Sequence, residues 1–480
     1  MLPADSAPAA APTEQNGANS APTFGLSRAV GSIGVIALLA VTLAHPSATR
    51  LHTWPWALVT ALLWSSPLVL LAIRFGAHSA WHRPGFLLCS GLGLLALGTI
   101  ASACFSPFSA ASLPRVWPTL GGVAFYFLLH DWLAHDNGSR QPRLGFLALL
   151  IAFGGAVIVG VSLIGWLRAV ASGGWTVRNA IPFGHSNYTA GVMVLLLPWF
   201  VFHAWQSRGL ARLGWCIVAT AAIVALGGTS SRGAALALLV VSGSFVLATV
   251  AWAPWSCSRK LMLTALVIGV GLVTVLANPR LRELALRRNW GHSARESNRQ
   301  RSAMLEAGAR LGAERPLLGW GPGTVPLAYP RVRAQLDGGV DNILQLHNTP
   351  IQIWATLGAT GGLALVLLTL GLGRQLAGAL STRLSSRPAS LAALASLGGY
   401  CLFALTDHQF DLPIIAALAA CNLAVLSSTG VPPVGLSRRP RIIAALSIAA
   451  FVVAPTFFLT RDLLARRAYE QSLVAWEHGR

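Results

Sequence analysis

The sequence predicts an all-α polytopic integral membrane protein with 12–13 transmembrane helices and one large loop. Hydrophobic residues make up 54% of the 480 residues and charged residues only 10%, whereas soluble domains carry about 25% charged residues. Apolar runs close to the ~20 residues that cross a bilayer recur along the chain. One long stretch, 278–346, is polar and rich in arginine. A chain of this composition cannot cover itself with a water-soluble surface.

Thirteen apolar runs are candidate membrane spans, nine before the long loop and four after it. They lie at 29–45, 54–73, 85–104, 116–134, 144–166, 188–206, 210–228, 232–253, 260–277, 349–372, 389–406, 413–429 and 441–460. The predicted division of the chain is a disordered cytoplasmic N-terminal tail at 1–28, transmembrane helices 1–9 over 29–277, the large loop at 278–346, transmembrane helices 10–13 over 347–460, and a C-terminal tail at 461–480.

The charges of the short loops predict the orientation. With the N-terminus in the cytoplasm, the inside loops hold fourteen lysine or arginine residues and the short outside loops hold five. Cytoplasmic loops collect positive charge, so this orientation is favoured. The long loop follows the ninth run and is therefore expected on the outer face, and long loops are exempt from the charge rule. If the thirteenth run also spans, the C-terminal tail lies outside as well.

The long loop carries eleven arginines, and the chain returns to apolar sequence just after His347. Apolar residues at helical spacing between Ser297 and Leu311 predict an amphipathic helix that also carries Arg299 and Arg301. A glycine-rich turn follows at 317–324. Such a turn can direct backbone N–H groups at an anion, although a plain loop is the default interpretation.

Two residues at the ends of predicted spans are the first candidates for chemistry. Histidine is a common general base at neutral pH, so His347 is either such a base or a polar interfacial residue satisfied by water. Arg232, in the sequence SSRG, is either a snorkelling anchor or a residue with a ligand. The basic loop beside His347 favours a functional interpretation, because guanidinium groups suit phosphate contacts.

Further polar residues fall in the short connections predicted on the same outer face. They are Arg178, His185, Asn187, Asn348, Asp407 and His408. These residues either cap helices or surround a common cavity. Asp407, His408 and Asp411 are a weak match to a metal site, the six cysteines form no CxxC pair, and no Walker motif is present. We therefore expect neither a metal nor a cofactor.

Several motifs, taken in order, resemble the O-antigen ligase superfamily. They are SSRG at a span end, Arg301 followed by Met304 and Ala307, the segment ERPLLGWGPG, and LHNTPIQIWATLG followed by Gly-Gly. The superfamily comprises O-antigen ligases, O-antigen polymerases and bacterial O-oligosaccharyltransferases. The resemblance covers roughly residues 180–430.

This resemblance implies a GT-C-like, multi-pass glycosyltransferase of lipopolysaccharide biosynthesis in the bacterial inner membrane, with its large loop and active site facing the periplasm. The donor would be a glycan on undecaprenyl diphosphate. Arg232 and Arg301 would bind the diphosphate, with Arg299 as a further candidate, and His347 would assist the acceptor hydroxyl. Asn187 matches a frequent asparagine of the family. Thr356 stands where an acidic residue is often found.

The acceptor is left open between three classes. An O-antigen ligase acting on lipid A–core is the favoured expectation, and a growing glycan (polymerase) or a protein Ser/Thr (O-oligosaccharyltransferase) would use the same donor. A bicarbonate or other anion transporter is disfavoured, because the charges lie at the outer ends of the runs rather than near the midplane. Membrane lipids are expected around the helices. Nucleic acid is excluded as a partner because the basic loop is predicted outside.

Overall fold

The computed structural model describes residues 56–477, with gaps at 78–79, 136–139, 175–176, 253–255, 340, 382–387, 429–432 and 436, and with only scattered residues described over 259–291. The predicted fold class is confirmed: the protein is an all-α polytopic membrane protein. The predicted run at 29–45 lies outside the described residues and the run at 260–277 lies largely outside them. Each of the other eleven runs coincides with a helix.

Fifteen α-helices can be followed in the described part of the chain. They are α1 (Trp56–Ala77), α2 (Phe86–Cys104), α3 (Ser109–Ser112), α4 (Trp117–Ala134), α5 (Arg140–Gly173), α6 (Ser186–Gln206), α7 (Gly209–Thr229), α8 (Arg232–Trp252), α9 (His292–Glu314), α10 (Val325–Ala328), α11 (Pro330–Arg333), α12 (Thr349–Ser381), α13 (Pro388–Ala404), α14 (Pro413–Ser427) and α15 (Arg438–Glu477). A 3₁₀ turn at Leu113–Arg115 and the strands β1 (Ala80–His82) and β2 (Pro433–Gly435) complete the described elements.

Six described helices are long and apolar enough to cross a membrane by length and composition. These segments are Leu58–Gly76, Phe86–Cys104, Arg140–Gly173, Ser186–Gln206, Gly209–Thr229 and Thr349–Gly378. Shorter apolar helices lie at Arg232–Ser244, Pro388–Ala404 and Pro413–Ser427.

Helix α6 is the centre of the bundle. It packs against α5, α7, α8, α13 and α14, and residues 192–196 are each at most 1% exposed. The indole N–H of the buried Trp199 donates to the Asn422 side-chain oxygen at 3.0 Å, which joins α6 to α14. A buried polar group needs such a partner. Because α6 is fixed on all sides, its first residues are a rigid support for side chains at that end of the bundle.

Helix α12 is broken at Gly358, where φ is 60° and ψ is −147°. The break frees the carbonyls of Ala355 and Thr356, and the glycine-rich turn satisfies them: Trp320 N donates to Ala355 O at 3.0 Å and Gly321 N to Thr356 O at 2.9 Å. After the break, Ala359 N donates to Pro316 O at 2.7 Å and Thr360 N donates to Leu317 O at 3.3 Å, where the same turn begins. The N–H groups of Trp320 and Gly321 therefore hold α12 rather than an anion.

The opposite end of the bundle is closed by a short antiparallel ribbon, β1 with β2, which the sequence did not predict. The buried carboxylate of Asp131 supports it by accepting from Arg74 Nε at 2.8 Å and from the backbone N–H of His82 at 2.9 Å. From this ribbon α15 runs for 40 residues without a break, past the boundary predicted at 460. A helix of that length extends about 60 Å, or twice the ~30 Å hydrocarbon core.

Replacing Gly358 by alanine is expected to destabilise the protein by about 1–3 kcal/mol, because only glycine adopts this backbone conformation readily. A Cβ atom would also lie 2.7 Å from Pro316 O and from Leu317 C. Thermal unfolding of the detergent-purified protein measures the change. Gly362→Ala, in the same helix with open space around the new methyl group, is the control and should unfold at or above the wild-type temperature. Equal unfolding temperatures for Gly358→Ala and wild type would contradict the assignment.

Candidate active site

A polar cavity of ≈ 150 Å³ lies where α6, α7, α8, α9 and α12 meet. Its lining is Arg178, His185, Asn187, Ser230, Ser231, Arg232, Ser297, Gln300, Arg301, Met304 and His347. Six of these eleven are residues that the sequence singled out. The lining drawn from the described chain contains three guanidinium groups and no carboxylate, so the cavity is suited to an anion.

Three helices begin at this cavity: α6 at Ser186, α8 at Arg232 and α12 at Thr349. A residue at each start, or one or two positions before it, lines the cavity: His185 for α6, Arg232 for α8 and His347 for α12. The first turn of a helix exposes unpaired N–H groups and carries a partial positive charge. These helix starts therefore add to the positive potential of the guanidinium groups and favour a bound anion.

Two of the arginines are positioned by hydrogen bonds to neighbouring elements. Arg178 Nε donates to Thr229 O at 2.9 Å, at the end of α7. Arg232 Nη2 donates to the Asn298 side-chain oxygen at 2.9 Å, which links the start of α8 to α9. Arg301 lies on α9, and no carboxylate of the described residues pairs with it. The three charges are thus brought together from the α5–α6 connection, α8 and α9.

The structure places Arg299 away from the cavity. Two residues along an α-helix are about 200° apart around its axis, so Arg299 and Arg301 cannot face the same way. The Arg299 guanidinium forms a hydrogen-bonded ion pair with Asp337 and lies 3.9 Å from Glu296. A side chain engaged with carboxylates at the protein surface is a poor candidate for a diphosphate ligand.

His347 has a backbone conformation that few residues other than glycine adopt. Its φ is 48°, and Ser230 in the same cavity has φ 54°. Within the described ranges these are the only two non-glycine residues with positive φ. Such conformations carry a free-energy cost and cluster at functional sites, where the surrounding structure enforces them. Both strained residues face the same cavity, which is consistent with a site built for binding or chemistry.

A buried carboxylate orients the His347 ring. His347 Nδ1 lies 2.8 Å from Asp407 Oδ1, and Asp407 is 1% exposed. Burial opposes ionisation of Asp407, but hydrogen bonds from His347 and from the His408 N–H at 2.8 Å outweigh it and lower the pKa of the carboxyl group. An ionised carboxylate accepts from Nδ1–H. The other nitrogen, Nε2, is then a lone-pair acceptor on the imidazole that lines the cavity.

A second imidazole stands beside the first. The ring centroids of His185 and His347 are 6.1 Å apart with an angle of 29° between the planes. Burial lowers the pKa of His185, and the nearby His347, Arg178 and Arg301 lower it further against the opposing charge of Asp407. His185 is therefore neutral at pH 7.

Three other predicted residues are near the cavity but do not line it. Asn348 caps α12: its side-chain oxygen accepts from Ile351 N at 3.0 Å and its Nδ2 donates to Leu405 O at 2.6 Å. His408 is buried with Nδ1 3.3 Å from Thr349 Oγ1. Asp407 lies behind His347. The structure therefore places these three residues behind the cavity wall, whereas the sequence offered them as candidates for the cavity itself.

The weak metal match from the sequence finds no support in these contacts. Asp407 binds His347, whereas Asp411 accepts from Gln345 Nε2 at 2.8 Å and His408 faces Thr349. The three side chains point to different partners. In the described residues, no group of three or more His, Cys, Asp and Glu could hold a metal ion.

The hydrogen bond between Asp407 and His347, which are 60 residues apart, was not predicted from the sequence. The one available signal was that both lie in connections predicted on the same face of the membrane. The serines of the cavity wall and Gln300 were also missed as site residues. Their side chains are ordinary in loops and on amphipathic helices, so only the fold shows that they meet.

These features define a polytopic helical membrane protein with an anion cavity formed by arginines and histidines. Residues 216–366 match the family model described as O-Antigen ligase. This match confirms the predicted resemblance to the O-antigen ligase superfamily over that segment, which includes Arg232, Arg301 and His347. A search of curated proteins finds no match.

Inorganic pyrophosphate is expected to bind the cavity and to raise the unfolding temperature of the purified protein by about 1–3 °C at saturating concentration. Arg301→Ala should abolish this shift, since it removes one of the three charges. Arg299→Ala, two residues away on the other face of α9, is the matched control and should keep it. Differential scanning fluorimetry at constant ionic strength measures both. An equal loss in the two variants would show a general charge effect rather than a site.

Proposed function

We propose that this protein is a glycosyltransferase that moves a glycan from undecaprenyl diphosphate to an acceptor hydroxyl at the periplasmic face of the bacterial inner membrane. The observation that carries the proposal is that Arg232, Arg301 and His347 line one cavity, although the chain separates them by long stretches. The family match supports the reaction class. The orientation follows from the excess of arginine in the loops predicted on the cytoplasmic side.

The arginines act on the leaving group. As the bond between the anomeric carbon and the phosphate oxygen breaks, its electron pair passes to the diphosphate, whose negative charge grows. Guanidinium groups held in place before the reaction stabilise that charge most where water is scarce. Arg178 joins Arg232 and Arg301 in this role, and the starts of α6, α8 and α12 add their partial charges.

His347 acts on the incoming group. Its Nε2 lone pair accepts the proton of the acceptor hydroxyl as the oxygen attacks the anomeric carbon, so the imidazole becomes imidazolium. Asp407 holds Nδ1–H and stabilises that cation, as the buried carboxylate does in a Ser-His-Asp triad. The proton then leaves to solvent or to the released diphosphate. Asp407 is a positioning residue, because it acts through His347.

The reaction proposed here needs no nucleotide or metal, because the diphosphate is already an activated leaving group and the arginines neutralise it. We propose lipid A–core as the acceptor, which makes the protein an O-antigen ligase, in line with the description of the matched family. Deleting the gene should then remove all long chains from the core while polymerised glycan accumulates on its lipid carrier. Core bearing a single repeat would instead indicate a polymerase. Loss of protein-linked glycan alone would indicate an O-oligosaccharyltransferase.

His347→Ala should lower the transfer rate by on the order of 10²- to 10⁴-fold, because it removes the general base. Arg301→Ala should lower it by on the order of 10²- to 10³-fold, because it removes stabilisation of the leaving diphosphate. Initial rates with a purified undecaprenyl-diphosphate glycan and lipid A–core, without nucleotide, measure both. Arg299→Ala is the control and should transfer at a rate close to wild type. Full activity in either cavity variant would refute its assigned role.

Asp407→Asn should slow transfer by on the order of 10²- to 10⁴-fold while leaving the protein folded. An asparagine amide can donate to Nδ1, and this places the remaining proton on Nε2, where the base needs a lone pair. Asp411→Asn, in the same connection but bonded to Gln345, is the matched control. The same loss in both variants would indicate a structural defect of the connection rather than a role through His347.

A further inference from the structure

Two histidines, His185 and His347, line the cavity, and the proposed reaction uses only one of them. His347 accepts the proton of the attacking hydroxyl, whereas His185 has no part in that step. The two imidazole planes are 29° apart and their centroids are 6.1 Å apart. His185 precedes α6, but its side chain makes no capping hydrogen bond to that helix. A side chain spared from capping is available for a ligand in the cavity that it lines.

The hydrogen-bonding state of His185 follows from its burial. Nδ1 is buried, and no described residue forms a hydrogen bond with it. A neutral imidazole carries a proton on one nitrogen and a lone pair on the other. Unpaired buried N–H groups are rarer and more costly than unpaired acceptors, so the lone pair belongs at Nδ1. The proton is then on Nε2, the nitrogen left to face the cavity.

The two rings therefore present opposite functions to a ligand. His347 offers a lone pair at Nε2, because Asp407 holds its Nδ1–H, and His185 offers an N–H donor. Two nearly parallel rings that both turn Nε2 towards the cavity hold those nitrogens about as far apart as their centroids, which are 6.1 Å apart. One hydroxyl oxygen that is hydrogen-bonded to both nitrogens holds them only about 4.7 Å apart, because its two bonds of about 2.9 Å meet at a roughly tetrahedral angle. Two neighbouring hydroxyl oxygens span the gap without strain.

We propose that His185 is a specificity residue for the acceptor: its N–H binds a second hydroxyl adjacent to the one that His347 deprotonates, so the site is built for a saccharide diol. This inference rests on the proposed function and narrows it, because a serine or threonine side chain carries one hydroxyl only. His185 touches the substrate without exchanging a proton with it. It fixes which hydroxyl of the sugar approaches the anomeric carbon.

The test compares transfer by the wild-type enzyme and by one variant, each with several acceptors. The probes are methyl hexopyranosides, their monodeoxy derivatives that lack one neighbouring hydroxyl, and a Ser/Thr peptide. His185→Phe keeps a ring against Tyr188, which lies 5.0 Å away, but has no nitrogen. Wild-type enzyme is expected to use the best glycoside about tenfold more efficiently than its deoxy derivative, the value of one neutral hydrogen bond. His185→Phe should lose that preference and use both at the lower rate.

Two further measurements distinguish a loss of acceptor recognition from general damage to the site. The ratio of the transfer rates for the glycoside and its deoxy derivative should fall to about one in His185→Phe, whereas general damage to the site would lower both rates by the same factor and keep their ratio. His135→Phe, at the opposite end of the bundle beside His82, is the control and should behave as wild type.

Several outcomes would overturn the inference. Equal loss of transfer to the glycoside and to its deoxy derivative in His185→Phe would mean that the ring does not read the second hydroxyl. Transfer by wild type to the peptide but to no glycoside would also overturn it, with the proposed donor chemistry intact. Transfer to neither class, with the donor left unhydrolysed, would overturn the proposed function itself.

Discussion

The mutual repulsion of three guanidinium groups around one cavity is the constraint on which this end of the molecule depends. Two like charges in contact near a protein surface repel by on the order of 4 kcal/mol, and no carboxylate of the described cavity lining offsets them. Hydrogen bonds and helix packing hold the three arginines in place against this repulsion. Arg178 is bound to the end of α7, Arg232 to α9, and α9 itself packs on α12. Because the three positive charges are held together, their repulsion favours the binding of any anion that comes between them.

The sequence predicted the membrane spans well because hydrophobic length is a local property. The same holds for the amphipathic helix of the loop, which lies within α9, and for His347 and Arg232, which stand at the ends of apolar runs. A bilayer imposes these features segment by segment, so each can be recognised without knowing its neighbours. The family resemblance added Arg301 to this set, through its position in an ordered series of motifs.

The sequence could not predict which segments that are distant along the chain contact each other. Asp407 and His347 are both loop residues, and no periodicity joins two loops. The position of Arg299 outside the cavity could not be predicted for a related reason: a helical pattern shows which residues share a face, but packing on α12 decides which face meets the cavity. The break at Gly358 was hidden too, because an isolated glycine in an apolar run is common in membrane helices.

The broken helix has a mechanical consequence. Four backbone hydrogen bonds fasten the glycine-rich turn and Pro316 before it to the two sides of the break, and Thr360 Oγ1 donates to Leu357 O across the break at 2.7 Å. The short piece of α12 that begins beside His347 and the longer piece beyond Gly358 are therefore splinted to each other by a segment from outside the helix. The angle of the bend is set by this turn as well as by Gly358 itself.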